Sequence, residues 1–398
     1  MKLLWMAAAG FVAANLTAGD WPQWRGPDRN GISGEKVITQ WPAEGPKVHW
    51  RASVGTGFSS LSVSQGRMYT MGNTSNQDTI WCLDAQTGKP LWHHPYASQL
   101  SPQWYEGGPG STPTVDGGRV FTISKWGDVF CLDATTGAVL WQRDLRQDGI
   151  KPNRWGFAGS PLIRGNAVIL NAGSAGIALD RETGRTIWST GNSYAGYASP
   201  TVFDAGGTAS VLIFTAKHLV ALDPQTGREL WRQPWETSWD TNNTDPLPYR
   251  DCIFISSFSR GCGLLSVTNG NPSLLYTNSV MHSHLSPGIR VGEYLYAFNG
   301  EAKQETDFRC VHLPTGELKW SRKDPAFGSL IMADSKLILL SDKGELMLAE
   351  ASPTAFMPLA RAKVLNGVCW TPPALADGRL YLRNAKGDLC CVELAVKP

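Results

Sequence analysis

Val129-Phe130-Cys131-Leu132-Asp133-Ala134-Thr135-Thr136-Gly137-Ala138-Val139-Leu140-Trp141 decides the fold. Its pattern is Leu-Asp, two residues, Thr-Gly, then an aliphatic residue and a Trp. Near-identical copies run Leu83-Asp84 to Leu91-Trp92, Leu179-Asp180 to Ile187-Trp188 and Leu222-Asp223 to Leu230-Trp231. A worn copy is Val311-His312 to Trp320, and traces remain at Leu265 to Gly270 and Leu348 to Pro353. Each copy reads as a hairpin. The Asp carboxylate accepts backbone N–H groups inside the turn, and Thr adds a hydroxyl. Gly supplies the positive φ that closes the turn. The Trp on the following strand is large and flat enough to fill the gap between neighbouring units.

A second element precedes each hairpin: Ser/Thr-Pro or a relative, an apolar pair, a Gly turn and an aliphatic-aromatic strand. Examples are Thr112-Pro113 before Val120-Phe121, Ser160-Pro161 before Val168-Ile169, and Ser199-Pro200 before Val211 to Phe214. Ser286-Pro287 and Thr371-Pro372 add two more, and Leu247-Pro248-Tyr249 fills the gap between them and the first three. Counting weaker versions at Ser60 and Ser329 gives eight starts, each worth four strands. Units of roughly 40–50 residues with four strands are propeller blades. The last unit ends three strands in, at Leu389 to Leu394, while an unpartnered Val48-His49-Trp50-Arg51 carries the Trp of an outer strand. The expected fold is therefore all-β: an eight-bladed propeller of four-stranded antiparallel blades, closed by an N-terminal strand completing the last blade. Such closure pairs edges that would otherwise stay open.

Composition fits this reading. The chain has 398 residues, 42 Gly and 17 Trp, suited to many short strands and tight turns. A net charge of +2 with 18% charged residues gives no polybasic surface, which excludes nucleic acid as the main partner. Met1-Lys2, the apolar run to Ala14 and the small residues to Ala18 read as a secretory signal peptide over 1–18, with a buried N-terminal helix as the competing reading. A Pro- and Gly-rich strap over 19–46 follows, then one propeller over 47–398. No later run approaches a membrane helix. The expected protein is exported, periplasmic or extracellular, soluble and monomeric.

The eight Cys divide. Cys82, Cys131, Cys310 and Cys391 precede the Leu-Asp site or its equivalent, where Ala178 and Ala221 stand in other copies. That marks a small buried slot in which Cys acts as a small hydrophobe. Two pairings stay open, Cys252 with Cys262 across one hairpin and Cys390 with Cys391.

The repeats resemble the pyrroloquinoline-quinone-type repeat of the quinoprotein alcohol dehydrogenase-like superfamily, which also includes the propeller of the outer-membrane β-barrel assembly machinery. The copies ending at Trp92, Trp141, Trp188 and Trp231 carry the resemblance, and Trp21-Pro22-Gln23-Trp24-Arg25-Gly26-Pro27 is similar to the start of exported repeat proteins of that superfamily. The resemblance implies a pyrroloquinoline quinone with calcium, held under a vicinal disulfide. No calcium ligands match residue by residue, and Cys390-Cys391 falls at the packing slot instead, so no cofactor is firmly implied.

Ligands of propellers meet loops before the inner strands. The long ones here carry Trp104 and Tyr105, Arg154 and Trp155, Trp239, His282 and His284, and Trp370. Aromatic faces beside polar groups suit a sugar ring, a peptide or a planar ring; packing between blades is the other use for the same rings. His282 and His284 would share a face on an extended strand, as a metal or acid–base pair needs. No nucleophile elbow, phosphate loop or zinc Cys pair is present. The expected function is non-catalytic binding of a protein, peptide or carbohydrate partner at the channel mouth. The alternative is a quinone-dependent alcohol or sugar dehydrogenase with a reduced site.

Overall fold

The computed structural model describes residues 19–394 except Gly206, Ala302 and Lys303. The signal-peptide expectation for 1–18 falls outside the described residues. Among those residues the chain forms eight sheets arranged as a ring. Seven blades are consecutive in sequence, spanning 62–97, 114–144, 162–189, 201–234, 247–278, 289–322 and 328–363. Blade 2 shows the plan: Thr114–Asp116 innermost, then Arg119–Ile123, Asp128–Asp133 and Val139–Asp144, every pair antiparallel. First strands of blades 8, 1, 2 and 3 touch in turn around the axis, as do those of blades 6 and 7.

Blade 8 takes three strands from the C-terminal end, Ala374–Ala376, Arg379–Arg383 and Asp388–Glu393. Its fourth is Val48–Ser53, antiparallel to Asp388–Glu393 with Trp50 opposite Cys391. The ring is latched as the unpartnered strand implies.

The repeat motif explains how the blades adhere. Asp133 Oδ1 accepts N–H groups of Thr135 and Thr136 and the Thr136 hydroxyl, at 3.0, 2.7 and 2.9 Å. Asp84 and Asp180 do the same in their turns. The Trp then reaches into the next blade. Trp50, Trp92, Trp141 and Trp188 donate Nε1–H to the carbonyls of Ala85, Ala134, Arg181 and Pro224, at 2.9–3.1 Å. Each of these carbonyls directly follows the turn Asp. The turn Gly lies beneath the same ring: a Cβ on Gly137 would sit 2.6 Å from Trp92, and Gly88, Gly184 and Gly227 are equally tight under Trp50, Trp141 and Trp188. The Gly is thus required twice, for its φ of +73° at Gly137 and for the ring above it. The Ala/Cys slot has a matching cause. Cys82, Cys131, Ala178, Ala221, Cys310 and Cys391 each stand directly opposite the Trp of their own blade.

Two blades lack the Trp itself. Tyr276 replaces Trp in blade 5, and its hydroxyl donates to Leu313 O at 2.6 Å. In blade 7 the equivalent position, opposite Leu348, is Ala360. There the N-terminal segment intervenes: Ile38 N donates to Leu394 O at 2.7 Å, and Gly45 packs against Ala362.

Gly137→Ala should cost about 2–4 kcal/mol, combining left-handed strain with displacement of Trp92. Gly118→Ala, at φ +76° with nothing within 4 Å of the added Cβ, is the control for strain alone and should cost about 1 kcal/mol. Urea unfolding of both variants measures the difference.

All eight Cys are free thiols. Cys252 pairs with Ser266 and Cys262 with Ser256, so these two lie at opposite ends of their hairpin and no bridge spans it. Cys390 and Cys391 face opposite sides of one strand, both wholly buried.

Candidate functional site: a funnel floored by the N-terminal strap

The segment expected to lie as a strap without strands does contain one. Ile32–Ser33 runs parallel to Gly328–Ala333 on the inner edge of blade 7, and Trp21 bridges Val63 of blade 1. Between these points residues 20–33 cross the central channel. Pro22 O accepts Val115 N of blade 2. Arg29 donates to Pro161 O and Ser160 O beside blade 3, at 3.0 and 3.4 Å, and Arg25 to Gly288 O beside blade 6 at 2.6 Å. Trp24 Nε1 donates to Asp245 Oδ2 at 2.6 Å.

Asp245 terminates a ladder around the channel. Ser60 N donates to Thr112 Oγ1, Thr112 N to Ser160 Oγ, Ser160 N to Ser199 Oγ and Ser199 N to Asp245 Oδ1, at 2.7–3.0 Å. Each rung links the residue before one inner strand to its counterpart in the next blade. Asp245 occupies the hydroxyl position of the Ser/Thr-Pro element, as Asp245-Pro246. That Asp in place of Ser or Thr is the sequence signal that marks Asp245. Its charge serves the strap, since the carboxylate partly offsets the burial that pulls Arg25 and Arg29 down to about 10.

Above the strap opens a funnel of about 1020 Å³. Loops before the inner strands of blades 1, 2, 3, 4, 5, 6 and 8 wall it, with Trp24 and Asp245 at the floor. Of the residues expected at a binding face, Trp104, Tyr105, Arg154, Trp155, Trp239, His284 and Trp370 line this one space. His282 does not. Residues 281–288 form a loop, not an extended strand, and the two rings part: His282 Nδ1 engages Phe258 O at 2.8 Å, whereas His284 lies against the Phe258 ring at 4.7 Å. The shared face that a histidine pair needs is absent. Phe58, Tyr197 and Phe258 also line the funnel without having been singled out.

The rings are organised in contact pairs. Phe58 stacks on Trp370 at 5.3 Å and meets Tyr105 edge-on at 5.6 Å. Trp155 meets Tyr197 edge-on at 5.9 Å. The Arg154 guanidinium lies 5.1 Å from the Trp155 ring and 5.0 Å from the Trp239 ring, held by cation–π attraction to both. Trp104 and Trp239 are 82% and 65% exposed, on backbone of φ +65° and +63°. Bulky residues rarely adopt that conformation, and such strain concentrates at functional positions.

Burial pushes the Tyr105 phenol up to about 12 and the His284 imidazole down to about 4. His284 therefore stays neutral in the fold while the unfolded chain takes up a proton near pH 6.5. The folded value is the lower one, so stability is lost as pH falls from about 6.5 towards 4. His284→Gln should reduce the loss of melting temperature between pH 7 and pH 4.5, as thermal unfolding at the two pH values would show.

Among the described residues no three His, Cys, Asp or Glu side chains converge as a metal set. At the funnel floor both oxygens of Asp245 are already engaged, and Cys390-Cys391 sits in the third strand of blade 8 opposite Arg51 and Trp50. The donors present do not fit a calcium-bound quinone under a vicinal disulfide. No helix among the described residues is long and apolar enough to cross a membrane.

Solved structures share the fold. BamB from Moraxella catarrhalis is 17% identical, covering 87% of this chain and 99% of its own, with a TM-score of 0.65. The quinohemoprotein alcohol dehydrogenase from Comamonas testosteroni is 16% identical, covering 97% of this chain and 82% of its own, with a TM-score of 0.67. The computationally designed Ika8 protein is 12% identical, covering 88% and 100%, with a TM-score of 0.63. None of the curated proteins matches the chain. A family model described as outer membrane protein assembly factor BamB matches residues 77–322, more than half of the sequence, and the chain, with its welded repeats and latched ring, belongs to that family.

Proposed function

We propose that this is an exported, non-catalytic propeller that binds a peptide, protein or glycan segment in the aromatic funnel. The observation that carries the reading is the display of Trp104 and Trp239 on strained backbone at the rim of a space walled by rings. Stacking surfaces with few charges suit a chain of flat or apolar units. They supply contact area at little cost in side-chain entropy. The ionisable groups lining the funnel are the stacked Arg154, the engaged Asp245, the half-buried His284, Glu301 and two Tyr, which do not form a nucleophile with its base.

Peptide and glycan arrays probed with wild type and with Trp104→Gly and Trp239→Gly test this. Each variant should lose at least about tenfold in affinity, the usual scale of an aromatic hot spot. Stability should change by less than about 1 kcal/mol, since the lost stacking is offset by relief of left-handed strain. Ligands bound equally by both variants would refute the reading, and so would dye reduction by the protein incubated with pyrroloquinoline quinone and calcium.

A further inference from the structure

The strap leaves a second cavity on its other side, of about 470 Å³, along the inner strands of blades 3 to 6. Its chemistry differs from that of the funnel. Four guanidiniums line it, those of Arg25, Arg29, Arg164 and Arg290, against two carboxylates, Asp28 and Asp245. Neither carboxylate neutralises the inner pair by contact: among the described residues Arg25 and Arg29 form no ion pair within 4.0 Å. Arg25, 6% exposed, spends Nη2 on the carbonyls of Asn30 and Gly288. Arg29 spends Nη1 and Nη2 on Gln23 Oε1 and the carbonyls of Pro161 and Ser160. Arg25 Nε and Nη1 and Arg29 Nε keep N–H groups without an acceptor among the described residues. At the rim, Arg164 faces Asp204 at 3.8 Å, and Arg290 donates to Gly292 O at 3.1 Å.

Two guanidiniums taken from water without a touching counter-charge are costly, because carbonyl dipoles replace only part of the lost solvation. An anion in the adjoining space would supply the missing charge, and planar forks match tetrahedral oxyanions. The geometry points to a site for a doubly charged oxyanion, phosphate or sulfate, in this lower chamber, with Arg25 and Arg29 as its inner ligands and Arg164 and Arg290 at its entrance. The funnel and its ligand are not involved.

The test uses the full chain with inorganic phosphate or sulfate, compared with chloride at constant ionic strength. Thermal unfolding and calorimetric titration should both show a saturable effect of phosphate and sulfate that chloride lacks. Arg164→Gln and Arg290→Gln lie on blades and not on the strap. Each should weaken phosphate binding by about fivefold while leaving the melting temperature in chloride within about 2 °C of wild type. Asp28→Asn should tighten binding by removing a repelling charge. A sugar phosphate tested beside inorganic phosphate distinguishes a free ion from an esterified one: tighter binding of the ester assigns the remaining volume to its organic part, and equal or weaker binding assigns the site to the free ion. A phosphate effect no greater than that of chloride, or one unchanged in the Arg164→Gln, Arg290→Gln double variant, overturns the site.

Discussion

Asp245→Ala should destabilise the protein by about 3–5 kcal/mol and free the strap from the channel. The carboxylate is buried and accepts two hydrogen bonds, from Ser199 N at 2.7 Å and Trp24 Nε1 at 2.6 Å. Removing it leaves both donors unpaired. It also removes the negative charge that supports Arg25 and Arg29 in the channel. Asp245→Asn keeps the shape and an acceptor for Ser199 but loses the charge, so it should cost about 2–3 kcal/mol. Urea unfolding followed by tryptophan fluorescence gives both values. Equal stability of the alanine variant and wild type would mean that the strap does not depend on this residue.

Trp50→Ala is the second large effect, again about 3–5 kcal/mol, the usual cost of truncating a buried aromatic. Trp50 is 8% exposed, covers Gly88, lies 5.9 Å from the Tyr381 ring and donates to Ala85 O. Trp50→Phe keeps a ring there and should cost about 1 kcal/mol for the lost bond. The informative comparison is with Trp141→Ala, which breaks the same weld between blades 2 and 3. Both variants lose similar contacts, but only Trp50 belongs to the strand that latches the ring. Trp50→Ala should therefore also speed amide exchange along blades 8 and 1, where Trp141→Ala should not. Arg383 shares this seam: one guanidinium on blade 8 donates to Ser59 O, Thr70 Oγ1, Met71 O and Gly55 O. If the two Trp variants gave the same exchange pattern, the latch would contribute no more than any other seam.

The blades were legible because their determinants are local. Asp133, Thr136 and Gly137 act within five residues, and the slot at Cys131 faces a Trp ten residues on. The latch was legible from a Trp-bearing strand without a repeat before it. Replacement of the weld by Tyr276 was not, since Tyr in an outer strand has many other uses. Most of the funnel could be located because long loops before inner strands converge by the geometry of the fold. His282 was misplaced because its ring direction is set by Phe258 O, 24 residues away, and its backbone by Asn299. The strap was least legible. Arg29, Arg25 and Trp24 find their partners more than 130 residues away, and no local pattern records such contacts.

Residues 20–33 divide the channel into an aromatic funnel and a basic chamber. Hydrogen–deuterium exchange of wild-type protein tests this division most directly. Amides bonded between the strap and the blades, those of Trp21, Val63, Val115 and Met332 among them, should be protected for as long as the blade strands. Complete exchange of Trp21 and its strap neighbours within seconds, with the blade strands still protected, would contradict it.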